Sequence, residues 1–179
     1  MKNRDRILWI TQTAAFTALL IVLQAVTAPL GNALVTGSIV NMLLIISVMM
    51  GGRLSGLSVA VLSPAAAKLL GIGPLWSLIP FIVAGNIVLV LLWHWIGNRK
   101  GGRGYLAQGI ALVTAAAAKF FVLYFGIVKL AVPLLLKLPE PQAGVVSNLF
   151  SIHQLITASI GGAAALMILP VLKKAIKER

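Results

Sequence analysis

The chain is a succession of apolar runs, each near the length of a membrane crossing, and this repetition constrains it more than any motif. A helix needs about 20 predominantly apolar residues to cross the hydrocarbon core. Six runs meet or approach that length, at about 7–28, 39–50, 54–70, 76–97, 105–132 and 145–172. Between them stand Pro29-Leu30-Gly31-Asn32 with Thr36-Gly37-Ser38, Gly51-Gly52-Arg53, Gly71-Ile72-Gly73-Pro74, Gly97 to Gly104, and Leu138-Pro139-Glu140-Pro141. These are breaker and turn signals. Only 10% of the 179 residues are charged and 60% are hydrophobic, whereas a soluble domain carries about 25% charged residues. A water-facing surface cannot be built from this inventory. The expected fold is an all-α integral membrane protein, one domain of six transmembrane helices over residues 1–179 in the lipid bilayer.

The net charge of +12 invites a nucleic-acid reading, because a basic balance is the usual electrostatic footprint of such proteins. Position argues against it. Lys2, Arg4, Arg6, Arg53, Arg99, Lys100, Arg103, Lys173, Lys174, Lys177 and Arg179 are eleven of the fifteen basic residues, and all fall in alternate inter-run segments. The other segments hold Lys137, with Lys68 near a helix end. The positive-inside rule then predicts N- and C-termini in the cytoplasm, and an even number of spans agrees. No nucleic-acid partner is expected. The basic start and apolar first run also resemble a signal peptide, but the run is too long and Pro29 would follow the cleavage point, so the segment is read as a retained span.

Several chemistries lack their raw material. The chain has no cysteine, hence no disulfide, thiolate metal site or cysteine nucleophile. Its carboxylates are Asp5, Glu140 and Glu178, and none lies inside an apolar run. Proton- and sodium-coupled carriers usually keep a carboxylate within the bilayer, and acid–base catalysis and hard-metal sites need such groups too. No phosphate loop, H-E-x-x-H or G-x-S-x-G occurs. We expect no enzyme, no catalytic residue, no metal and no cofactor in this chain.

Polar residues within the runs carry the functional signal, because an unpaired polar group in hydrocarbon costs several kcal/mol. They are Asn41, Lys68, Asn86, Lys119, Asn148, His153 and Gln154, joined by Thr36 beside the second run. Helical rise places most of them in the outer half, with Asn41 and Asn148 near the outer surface and His153 about 12 Å below the start of its helix. That asymmetry predicts a polar cavity opening outward. An Asn or Gln in a span is commonly an interhelical hydrogen bond. Lys119 is different: it lies too deep to snorkel and has no carboxylate in any span, so an anionic ligand is the expected partner. Lys68 and Lys129 can snorkel outward. Trp76 and Tyr124 read as belt or core aromatics, and Trp93, His94 and Trp95 as an inner belt.

Small residues form two smooth helix faces: Thr11, Ala14, Ala15, Ala18 and Ala25 on the first span, and Ala158, Gly161, Gly162 and Ala165 on the sixth. Such faces permit close helix approach, and the sixth reads as internal packing. Ala14-x-x-x-Ala18 within Thr11 to Leu20 resembles the alanine motif on the first helix of the substrate-binding S components of energy-coupling factor (ECF) transporters. Thr36-Gly37-Ser38 through Asn41, Pro80 through Gly85-Asn86, and Gln154 through Gly162 support the resemblance, which extends over nearly the whole chain in size and layout.

The resemblance implies an S component in a prokaryotic plasma membrane. It would capture a small-molecule substrate, a vitamin or precursor, from outside and deliver it inward. Its implied partners are a transmembrane coupling subunit and two ABC ATPases, which use the ATP. Ala14 and Ala18 would face the coupling subunit. Lys119, with Asn86, His153, Gln154, Asn148, Asn41 and Thr36, would bind the substrate, and the loop from Gly31 to Ser38 would form part of a lid. A stand-alone solute carrier and a non-transporting membrane scaffold are the alternatives.

Overall fold

The computed structural model describes residues 3–98 and 104–177; Lys2, Arg99, Lys100, Arg103, Glu178 and Arg179 lie outside them. Among the described residues every regular element is helical. Helix α1 is Asn3–Thr27, α2 Ala33–Leu69, α3 Ile79–Leu92, α4 Gly104–Leu123, α5 Glu140–Leu149 and α6 Ile152–Lys177. Helix α3 runs on through a π-helical turn, Trp93–Gly97, and α4 through a π-helical stretch, Tyr124–Leu136. Five helical stretches are long and apolar enough to cross a membrane: Asn3–Leu30, Ala33–Leu69, Trp76–Gly97, Gly104–Leu136 and Glu140–Ala175. Large apolar side chains such as Ile7, Val22, Leu62, Val113, Phe121 and Met167 are exposed around the bundle. Water does not tolerate so extensive an apolar surface, and lipid requires it. These are the features of a multi-pass membrane protein.

Helix α2 is not straight. Gly52 holds φ 79° and ψ 179°, a backbone region that essentially only glycine enters. The consequence is large: a Cβ on Gly56 would lie 2.6 Å from Cβ of Val48. On an unbroken helix residues eight apart are separated by about 12 Å along the axis, so the chain doubles back at Gly52. Val48 and Gly56 flank Gly52 at equal distance in sequence. So do Asn41 and Ser63, which line one cavity. The two halves of α2 therefore pack side by side, and Thr13 of α1 reaches Ser55 beyond the bend, Oγ1 to Oγ at 3.4 Å.

The core is apolar and centred on α2. Leu43, Leu44, Ile45 and Val48 pack with Val59, Leu89, Val90, Trp93, Ala111, Ala115, Ala158 and Ala165. A second cluster joins Leu78, Leu123, Ile127, Ala131 and Phe150. Trp93 is only 1% exposed, which corrects its reading as a belt residue; Trp95, on another face, is exposed. Trp93 fits because Gly97 and Gly162 leave room for its indole.

Two sequence boundaries are corrected. The run expected to begin at 39 is helical from Ala33, because Asn32 caps it: its Oδ1 accepts from the backbone N–H of Leu34 at 3.0 Å and Val35 at 3.3 Å. Thr36, Gly37 and Ser38 are thus in the first turns of α2 and not in a loop. The run expected over 145–172 is broken at Phe150-Ser151 into α5 and α6. Hydropathy misses this break because apolar residues continue through it.

Candidate functional site

A cavity of about 400 Å³ enters the bundle between Gly31-Asn32-Ala33 and Ile72-Gly73-Pro74. Its mouth lies at the end opposite the Gly52 bend, since both loops flank the far ends of the α2 hairpin. Most of the wall is apolar, from Val40, Pro64, Ala67, Ile82, Leu123 and Phe150. The volume is within the usual range of a small-molecule site, about 300–1,000 Å³, which is mainly apolar with a few placed polar groups.

Lys119, on α4, supplies the charge. It is 3% exposed, and its Nζ donates to Oδ1 of Asn41 at 2.6 Å and to Oδ1 of Asn86 at 2.7 Å. Three helices are thereby tied at one atom. Asn41 is fixed in turn, because its Nδ2 donates to Oγ1 of Thr157 on α6 at 3.3 Å. The Thr157 hydroxyl donates to the Gln154 carbonyl at 3.3 Å. An ammonium has donors only, so both amides must turn their oxygens toward it. For Asn86 this leaves Nδ2 facing elsewhere, and that nitrogen is buried without a hydrogen-bond partner. Ser63 Oγ, also on the cavity wall, is in the same condition.

Among the described residues the charge of Lys119 has only neutral hydrogen-bond partners, Asn41 and Asn86. Asp5 and Glu140 sit in exposed first turns of α1 and α5. Glu178 lies outside the described residues. Among the described residues no three His, Cys, Asp or Glu side chains come together to hold a metal ion.

The cavity gathers Thr36, Asn41, Asn86, Lys119 and Gln154 from the residues singled out by sequence. It leaves out His153 and Asn148. Asn148 is exposed at the end of α5. His153 is one residue into α6 and not a third of the way down a span, because the helix starts at Ile152. Gln154 turns into the cavity and donates from Nε2 to the Leu149 carbonyl at 3.1 Å. His153, adjacent, falls on another face with Nδ1 buried and unpartnered. Asn41 is 1% exposed and deep, not near the surface, since α2 begins six residues earlier than expected.

Lys68 does not line the cavity, and Lys129 is exposed with its Nζ 5.5 Å from the Tyr124 ring centroid. Gln24, Ser63 and Thr157 are not among the site residues singled out by sequence, and Asn32 enters there only within the lid segment Gly31 to Ser38. For Asn32 a signal existed, an Asn directly before an apolar run. The other three are ordinary span residues whose role depends on what they face.

Ala14 and Ala18 are exposed and line a separate shallow groove between α1 and the second half of α2, with Thr13, Thr17, Ser58 and Leu62. No protein-family model, curated protein or solved structure matches the chain.

Proposed function

We propose that the protein is the substrate-capturing S component of an ECF-type importer. It takes a small micronutrient, a vitamin or vitamin precursor, from outside the cell and passes it inward using energy from partner ATPases. The observation that carries this reading is the cavity itself. It is a small-molecule-sized pocket open at one end of the bundle and closed below by the Lys119–Asn41–Asn86 cluster.

Counting the two halves of α2 as separate crossings gives six spans. At 17 to 19 residues each, they measure about 26–29 Å at 1.5 Å per residue, close to the hydrocarbon thickness of about 30 Å. Arg53 then lies at the same end as Arg4 and Arg6, and the positive-inside rule puts that end inside and the cavity mouth outside. With Asn32 capping a helix, a lid over the mouth consists of the two short connections, 28–32 and 70–75, and not of Gly31 to Ser38. Gly31, Gly71 and Gly73 all have positive φ there. The chain shows no nucleotide loop in its sequence, so the energy is supplied by partners. Exposed Ala14 and Ala18 on α1 suit a face for the coupling subunit, where small residues allow close helix approach.

The test is to purify the tagged chain from its own membranes in mild detergent and identify what accompanies it by mass spectrometry. A transmembrane coupling subunit with two ABC ATPases is the expected result. Their absence, under conditions that preserve an intact ECF complex, overturns the importer reading. Uptake by the single chain reconstituted in ATP-free liposomes would replace it with a stand-alone carrier.

A further inference from the structure

We infer that the cavity floor is a carboxylate site, and that the captured solute is a monocarboxylic acid whose remaining body is uncharged and largely apolar. This deepens the capture reading given above and rests on it.

The argument starts from charge balance. A cationic side chain buried within a membrane is stable only with a partner of opposite charge or with water-like solvation. Lys119 has two carbonyl oxygens, which take two of its three N–H donors and none of its charge. The third N–H and one unit of positive charge are left at the bottom of a cavity. Beside it stands a second donor without a partner, the buried amide nitrogen of Asn86, whose Oδ1 accepts from Lys119 and whose residue is 1% exposed. Ser63 Oγ adds a third donor on the wall. An arrangement of unpaired donors around one cation accepts an anion and repels a cation.

Counting donors selects among anions. A carboxylate has two oxygens and one negative charge, matching the free ammonium N–H and the Asn86 N–H pair, with Ser63 as a side contact. A phosphate monoester brings three oxygens and a charge of about −1.5 to −2 at pH 7. It would leave excess negative charge buried among Val40, Ile82, Leu123 and Phe150. Those apolar walls also decide the rest of the solute, because a second charged group would have no partner there.

The relay behind Lys119 has a role in this. Thr157 Oγ1 accepts from Asn41 Nδ2, so the Asn41 oxygen is committed to Lys119. The amide cannot turn to offer its own NH₂ to the ligand. Thr157 and Asn41 are positioning residues for the ammonium, while Lys119 and Asn86 touch the acid.

The experiment uses the purified full chain in detergent and reads its melting temperature. The probes are sodium benzoate, its neutral isostere benzamide, sodium phosphate and sodium chloride at matched ionic strength. Benzoate at about tenfold over its Kd raises Tm by about 4 °C, and the other three do not. In Lys119→Met the benzoate response disappears. Asn86→Asp is the second variant, chosen because it supplies the missing carboxylate internally: it melts at or above the wild-type temperature and no longer responds to benzoate.

A flat benzoate titration of the wild-type chain overturns the proposal. So does a benzamide, phosphate or chloride response equal to that of benzoate, or a response that survives either substitution. Loss of the acid response while the ATPases still co-purify removes the carboxylate assignment alone. An intact acid response without those partners removes the importer reading alone.

Discussion

Two helices of this protein carry the same small-residue signature and use it in opposite ways. On α6, Ala158, Gly161, Gly162 and Ala165 are all buried. On α1, Thr11, Ala14, Ala15, Ala18 and Ala25 are all exposed. The α6 stripe works by close approach: a Cβ on Gly161 would clash with the Ser38 carbonyl oxygen and lie 2.8 Å from Asn41 Cβ and 2.9 Å from Met42 N. One on Gly162 would lie 2.5 Å from Cδ1 of Leu112. The α1 stripe has no such neighbour within the chain and borders only a shallow groove. Spacing is thus insufficient to say whether a smooth face is internal or external; what distinguishes them is whether another helix of the same chain occupies it. The α6 stripe also supports the site, because the residue that Gly161 admits is Asn41.

The largest effect expected from breaking this contrast is at Gly161. Gly161→Ala places a methyl group against backbone atoms of α2, which cannot swing aside. It should destabilise the fold by about 3 kcal/mol, the upper end for overpacking. It should also abolish the benzoate response, since α2 must move and Asn41 with it. A melting curve within 2 °C of wild type, expected of a change under about 1 kcal/mol, would show that α6 is not closely seated on α2.

A smaller loss is expected one residue pair away. Thr157→Val keeps the shape of the side chain and removes the acceptor for Asn41 Nδ2, leaving a buried donor unpaired at a cost of about 1–3 kcal/mol. If the hydroxyl positions Asn41, benzoate affinity falls several-fold while Thr157→Ser retains it, as read by titration of Tm. Equal affinities in the two variants would confine Thr157 to packing. Gly162→Ala comes next, at about 1 kcal/mol. Its added methyl meets the end of the Leu112 side chain and not a backbone, and a leucine tip can rotate. If Gly162→Ala costs as much as Gly161→Ala in the same melting assay, the distinction between backbone and side-chain contact fails.

The contrast also explains what could be read before the fold was known. Helical class and the change of direction at Gly51-Gly52-Arg53 were legible, because hydropathy and glycine act locally. Asn41, Asn86 and Lys119 stood out for a related reason: a polar group in an apolar run has few tolerable environments. Their convergence was not legible, since it depends on α2 doubling back and on α4 packing against α3 and α6, from where the Lys119 side chain reaches Asn41. Ser63 and Thr157 were passed over because a hydroxyl can satisfy itself against its own helix, as Ser47 does on Leu44 O at 2.7 Å. His153 and Asn148 were misplaced through the hidden break at Phe150-Ser151, which shifted every depth estimate on that run. Ala14 and Ala18 stand out in the sequence by resemblance to a family's alanine motif, since spacing alone picks Gly161 and Ala165 equally.

The smallest effect on folding is expected where the effect on function is largest. Ala14 and Ala18 are exposed on α1, so Ala14→Trp or Ala18→Trp adds a ring that the open groove beside the second half of α2 can take. Such surface changes usually fall within about 0.5 kcal/mol, and the benzoate response, read on the far side of α2, should be unchanged. If the proposed coupling subunit docks on this stripe, cellular uptake and co-purification of the partners should both be lost, because an indole cannot enter an interface built on close approach of small residues. The same ring at Ala165, buried on α6, should instead unfold the protein before any partner is consulted. Normal uptake with Ala14→Trp and Ala18→Trp would mean that the α1 stripe meets only lipid, and the two faces would then differ in packing without differing in function.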